Sequence, residues 1–195
     1  MLLDQAILLS HRLPDDLIKC IDKYTINQTI NGKKEGVWKE WYKSEDLESG
    51  ALNEGKGSGG QLKYECNYKE GQEHGIQKGW WEDGELAYEW HYKGGKPHGI
   101  QKEWWSNGQL WYEHYYEEGQ GHGIDKEWFK NGQLRYEVHY KEGKRHGIQK
   151  EWFEDGQLKY EYYWKEGKWH GINKGWFENG QLKFENHYIE DKRVA

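Results

Sequence analysis

The dipeptide His-Gly recurs at 74–75, 98–99, 122–123, 146–147 and 170–171, at an unbroken spacing of 24 residues. A strict period of this length belongs to chains that stack one small supersecondary unit on the next. The unit reads H-G-I-x-K-x-W-(W/F)-x-(N/D)-G-(Q/E)-L-x-(Y/F)-E, followed by an aromatic and a Gly-Lys-rich link. Residues 36–42 open the same unit earlier and residues 60–65 close it, with 15 extra residues near 44–58, rich in Gly, Ser and Glu. The spacing predicts six repeats over 25–190, a leading half-repeat strand at 24–30, and a tail at 191–195.

Each unit reads as a β-hairpin. Asp83-Gly84, Asn107-Gly108, Asn131-Gly132, Asp155-Gly156 and Asn179-Gly180 suit a two-residue type I′ turn, which needs positive φ at both positions. Turns placed there put Lys150 opposite Glu161 and Trp152 opposite Lys159. They also pair Lys78 with Glu89, Lys102 with Glu113, Lys126 with Glu137 and Lys174 with Glu185. Five opposite-charge pairs from one assumption support the register. One face then carries Phe153, Leu158, Tyr160, Tyr162 and Trp164, the other Ile148, Lys150, Trp152, Lys159, Glu161 and Tyr163. Leu, Ile, Val and Phe make only 32 of the 195 residues, too few for a two-layer core, whereas 16% of the chain is aromatic and Gly numbers 26. The expected fold is all-β: an elongated single-sheet antiparallel solenoid of about 13 strands and roughly 60 Å, with aromatic ladders serving as its core.

These motifs resemble the MORN repeat. The run W-(W/F/Y)-x-(N/D)-G-Q-L-x-Y-E, then Tyr and Gly-Lys, is similar to the variant found in bacterial antitoxin-like proteins and large DNA viruses, over about residues 32–190. The resemblance implies an elongated β-solenoid with no catalytic chemistry. It implies a role in protein–protein contact or membrane association. Residues 1–24 read as a short amphipathic helix with Pro14 and Asp15 at its start and Leu17, Ile18, Ile21 and Tyr24 at helical spacing. That helix is expected to cap the bare end of the sheet. Leu13, Pro14, Leu17, Ile18 and Ile21 are also similar to the opening of an F-box, which implies docking on a ubiquitin-ligase adaptor.

A pI near 5.9 and a net charge of −6 give no basic face, so nucleic acid is not an expected partner. Cys20 and Cys66 form no metal-ligand or disulfide pattern, consistent with a reducing intracellular setting. No cofactor is expected. Successive histidines of the His74, His98, His122, His146, His170 column lie two strands apart, too far to share a zinc ion, and read as structural neighbours of the inter-repeat turn. The column Glu65 to Glu185 pairs with lysines and reads as register chemistry rather than acid–base catalysis. The candidate interaction surface is aromatic: Trp80, Trp104, Trp128, Trp152 and Trp176, with Tyr88, Tyr112, Tyr136 and Tyr160. The tryptophans are expected to lie under cross-strand Lys or Arg side chains. An unidentified protein is the expected partner. A membrane surface is an alternative that would need a basic patch. Self-association through a bare terminal strand at 184–189 is a third.

Overall fold

The structure is a computed structural model that describes residues 27–42 and 60–194. Residues 1–26, which include the expected helical cap and the F-box-like segment, lie outside them, as does the inserted segment near 44–58. The described residues form seventeen strands in one open antiparallel sheet with no helix. Apart from the short segments Gln72–Glu73, Lys96–Pro97 and Lys168–Trp169, which pair only with the strand before them, each strand pairs with the next in chain order, so the sheet is a meander from Gln28–Ile30 to Lys192–Val194. Three of the longer strands are split at His74, His98 and His170, so the seventeen strands make fourteen rungs.

The hairpin turns differ from the expected type I′ form. The two-residue turns with positive φ at both positions lie between repeats, at Glu70-Gly71, Gly94-Gly95, Glu118-Gly119, Glu142-Gly143 and Glu166-Gly167. Lys141 faces Lys144 across one of them. At the hairpin loop only the Gly of each Asn/Asp-Gly pair has positive φ. The loop there has three residues: Gly156 N donates to Phe153 O and Phe153 N to Gln157 O. This is a type I turn closed by a left-handed glycine. The Asn or Asp serves as an Asx acceptor, Asp155 Oδ1 taking the Gln157 N–H at 2.9 Å and Asn131 Oδ1 that of Gln133 at 2.9 Å.

A bulge beside this loop restores the expected register. Trp152 faces Leu158, whereas Glu151 faces Tyr160, leaving Lys159 as the extra residue. The longer loop displaces the pairing by one position and the bulge returns it. Lys150 therefore meets Glu161 as expected, but Trp152 does not meet Lys159. Leu158 consequently sits opposite Trp152, not on the face of Tyr160. The other four Lys–Glu pairs form as well, and Lys39–Glu65 adds a sixth in the first hairpin. Here Tyr42 N bonds Gln61 O, so the insertion replaces the three-residue loop and leaves the hairpin intact.

His-Gly marks a second, wider bulge rather than the inter-repeat turn. Tyr140 faces Arg145 and Val138 faces Gln149, so two extra residues enter between the pairs. His74, His98 and His170 each donate their backbone N–H to the carbonyl across this gap. The terminal strand Leu182–Ile189 is covered over His187 to Ile189 by Lys192–Val194, so it is not wholly bare. Each inter-repeat turn also bonds the strand just after the previous turn, for example Gly143 N to Gly121 O and Gly167 N to Arg145 O.

Candidate functional site

With no second layer among the described residues, function must lie on a face or an edge of the sheet. The two faces differ sharply. One is crowded: every strongly buried side chain lies on it, including Gln77, Gln101, His114, Asp125, Val138, Gln149 and Asn173. Its buried column is polar because the His-Gly bulge opens the ladder there. Gln77 Oε1 accepts from Asn67 N at 2.8 Å and its Nε2 donates to Asn67 O at 2.9 Å. Gln101 does the same for His91. These side chains replace the missing strand partner.

Tyr88, Tyr112, Tyr136 and Tyr160 stand on this crowded face, opposite Gly79, Glu103, Glu127 and Glu151. They are half-buried. Burial pushes the Tyr88 phenol up to about 12 and raises those of Tyr112 and Tyr136 as well. Tyr88 stacks on Trp90 at 4.2 Å. A Cβ on Gly79 would stand 2.1 Å from the Tyr88 ring, so this ring rests on the backbone itself. Cations lie over crowded-face and loop rings: Arg145 over Trp164 at 5.0 Å, Lys130 over Trp105 at 5.1 Å, Lys159 over Phe153 at 5.4 Å.

The opposite, open face carries Trp80, Trp104, Trp128, Trp152 and Trp176, each opposite the hairpin leucine. The nine aromatic candidates are thus divided between two faces. The five tryptophans are only partly exposed, and among the described residues no cation lies over their rings. The expected cation–π shielding falls on Trp38, Trp105 and Trp164 instead. Beside the tryptophans runs an alternating row in which each Lys has a Glu on both neighbouring strands, as Lys102 has Glu89 and Glu113. The ion-pair distances are 2.8–3.6 Å. Burial would raise the Glu89 carboxyl, but hydrogen bonds from Lys78 and His91 hold it below the usual range.

Beyond that row lie residues the aromatic reading passed over. Ile76, Ile100, Ile124, Ile148 and Ile172 are 40–49% exposed and sit in one line. They face His91, Tyr115, His139, Tyr163 and His187 directly. Tyr115 and Tyr163 are exposed too. The signal was in the repeat itself, as the invariant Ile of H-G-I, but β-branched residues in strands usually read as core.

Among the described residues no group of three or more His, Cys, Asp or Glu side chains is placed to hold a metal ion. Cys66 is free, and burial raises its thiol.

The family model of the MORN repeat variant matches residues 73–93, 97–120, 121–142, 145–166 and 169–190, together more than half of the chain. The chain belongs to the MORN repeat variant family. No curated protein matches it. Each matched MORN segment begins near an inter-repeat turn, so it spans one bulged strand, the Asx loop and the returning strand. The hairpin Lys33–Trp41 with Leu62–Lys69 lies outside the matched segments, yet it repeats the MORN register residue for residue, including Lys39–Glu65 and the bulge at Lys63.

Proposed function

We propose that the chain is a non-enzymatic MORN scaffold that holds a partner protein along the open face of its sheet. The isoleucine row carries this reading. Five exposed isoleucines, interleaved with Tyr115, Tyr163 and three histidines, form a stripe over ten strands, roughly 45 Å long. A contiguous exposed apolar patch of that extent marks an interaction site, and its tyrosines are favoured anchors. The adjoining lysines are neutralised by glutamates on both sides, so this row presents no basic patch to anionic headgroups, which favours a protein over a membrane on this face. The tryptophan row, across the ion-pair ladder, would form the second rail of the same surface.

The test is affinity capture from the native cell with the wild type and with Ile100→Thr, Ile124→Thr and Ile148→Thr combined. Thr keeps the β-branch and the strand preference. The expected outcome is loss of the main captured protein, with unchanged far-ultraviolet circular dichroism. Undiminished capture by the folded triple variant overturns the reading. Co-sedimentation with anionic liposomes at physiological salt would redirect it to a membrane surface.

A further inference from the structure

The extra residue of each hairpin bulge neighbours the carboxylate column of the crowded face. Through the six hairpins this residue is Lys63, Ala87, Trp111, Arg135, Lys159 and Lys183. The matching column is Glu40, Gly79, Glu103, Glu127, Glu151 and Gly175. Where a glutamate stands, the bulge residue of its hairpin is a lysine or arginine, with one exception. Lys63 Nζ lies 3.0 Å from Glu40 Oε1, and Arg135 Nη1 lies 3.5 Å from Glu127 Oε2. Lys159 shares its hairpin with Glu151, though its ammonium lies over the Phe153 and Tyr160 rings rather than in an ion pair; beside the glycines stand Ala87 at Gly79 and Lys183 at Gly175. The exception is the third hairpin, where Trp111 accompanies Glu103.

Among the described residues no Lys, Arg or His lies within ion-pair distance of Glu103. Its carboxylate is half-buried, and burial raises its pKa against the lowering influence of the Trp90 indole. Trp90, Trp111, Tyr112 and Tyr116 line a cleft of about 400 Å³ around it. Trp111 packs on Trp105 at 5.2 Å, and its buried indole N–H has no hydrogen-bond partner.

We propose that this cleft binds an arginine side chain of a partner protein. Aromatic faces attract a cation, and a half-buried carboxylate without an internal counter-ion supplies the charge-assisted hydrogen bond. The next hairpin displays the same chemistry within the chain: Arg135 reaches Glu127 while its guanidinium lies 5.9 Å from the Phe129 ring. A planar, weakly hydrated guanidinium stacks and bonds a carboxylate at once, which an ammonium does less well. The cleft offers the same two partners with the internal cation replaced by a further aromatic wall. It lies on the face opposite the isoleucine row, so it adds a contact to the protein-binding reading and can be tested apart from it.

The experiment uses the full chain, ¹⁵N-labelled, with the Trp90 and Trp111 indole resonances assigned from Trp→Phe variants. The probe is Nα-acetyl-arginine methylamide. Its citrulline counterpart, a neutral isostere, and its lysine counterpart are the controls. Saturable shifts of both indoles by the arginine probe are expected, with the citrulline probe about tenfold weaker or worse. Trp111→Lys, which installs the residue found at this place in three other hairpins, is expected to abolish the Trp90 shift while circular dichroism is unchanged. Glu103→Gln is expected to weaken the arginine probe about tenfold. Equal response to citrulline, tighter binding of lysine, or a Trp90 shift surviving Trp111→Lys overturns the proposal. None of these outcomes alters capture through the isoleucine row, so the two readings fail separately.

Discussion

Gln77 is 1% exposed, and both ends of its amide serve the backbone of Asn67. The polar residue is buried because the His-Gly bulge takes two extra residues out of the ladder and leaves an N–H and a C=O facing it. Gln77→Ala would orphan that N–H and take away one acceptor's partner. A loss of about 3 kcal/mol is expected, from about 1–3 kcal/mol per unsatisfied buried group. The neighbouring Ile76→Thr, on the exposed side of the same strand, should stay within about 0.5 kcal/mol. Urea unfolding of the two variants checks this; equal midpoints would contradict the role assigned to Gln77. At this scale the sequence was least legible. A Gln or Asn at the x of H-G-I-x-K looks like a solvent-facing strand residue, and only the bulge makes it the most buried column of the sheet.

At the scale of the hairpin, the Lys–Glu pairing was read correctly from charge and period, although the hairpin turn was assigned to the wrong type. The Asn/Asp-Gly loop is one residue longer than a type I′ turn, and the bulge at Lys159 cancels the shift for everything beyond it. A bulge is an event of backbone hydrogen bonding and leaves no side-chain signature, so Leu158 and Lys159 could not be placed from the pattern alone. The corrected register still has Lys150 between Glu137 and Glu161. Lys150→Glu would place three carboxylates in a row, with an expected loss of about 1 kcal/mol, since exposed pairs are worth little and like charges directly opposite repel. Adding Glu161→Lys should recover part of it by thermal unfolding at low salt, and the recovery should fade at high salt.

At the scale of the whole molecule, a single layer is held together by contacts between neighbouring hairpins, as in other repeat proteins. Half-buried tyrosines on the crowded face supply much of that contact. Tyr88 and Tyr162 are pushed up to about 12 by burial, and the phenols of Tyr92, Tyr112 and Tyr136 are also raised. A phenol whose folded pKa exceeds its unfolded value near 10 favours the fold fully below pH 10. That contribution falls as the pH rises from about 10 through about 12 and beyond, so alkali should unfold the sheet. Tyrosinate absorbance is expected to rise in two phases, the exposed phenols first and the crowded-face phenols together with the loss of circular dichroism. A single phase near pH 10 with the fold intact would refute this.

Period, strand order, charge pairing and family were set by the amino-acid sequence alone, because a 24-residue unit copied five times leaves few ways to stack. Which side chains reach solvent was decided only in the folded sheet. The row Tyr88, Tyr112, Tyr136, Tyr160 and the row Trp80 to Trp176 lie on opposite faces, as the register implied, but only the fold shows which face is crowded. The tyrosines of that row crowd together, and the isoleucines of the other face are left outside. The exposed stripe and the aromatic cleft at Glu103 both follow from where two kinds of bulge turn the chain, and bulges belong to the backbone ladder rather than to any residue pattern.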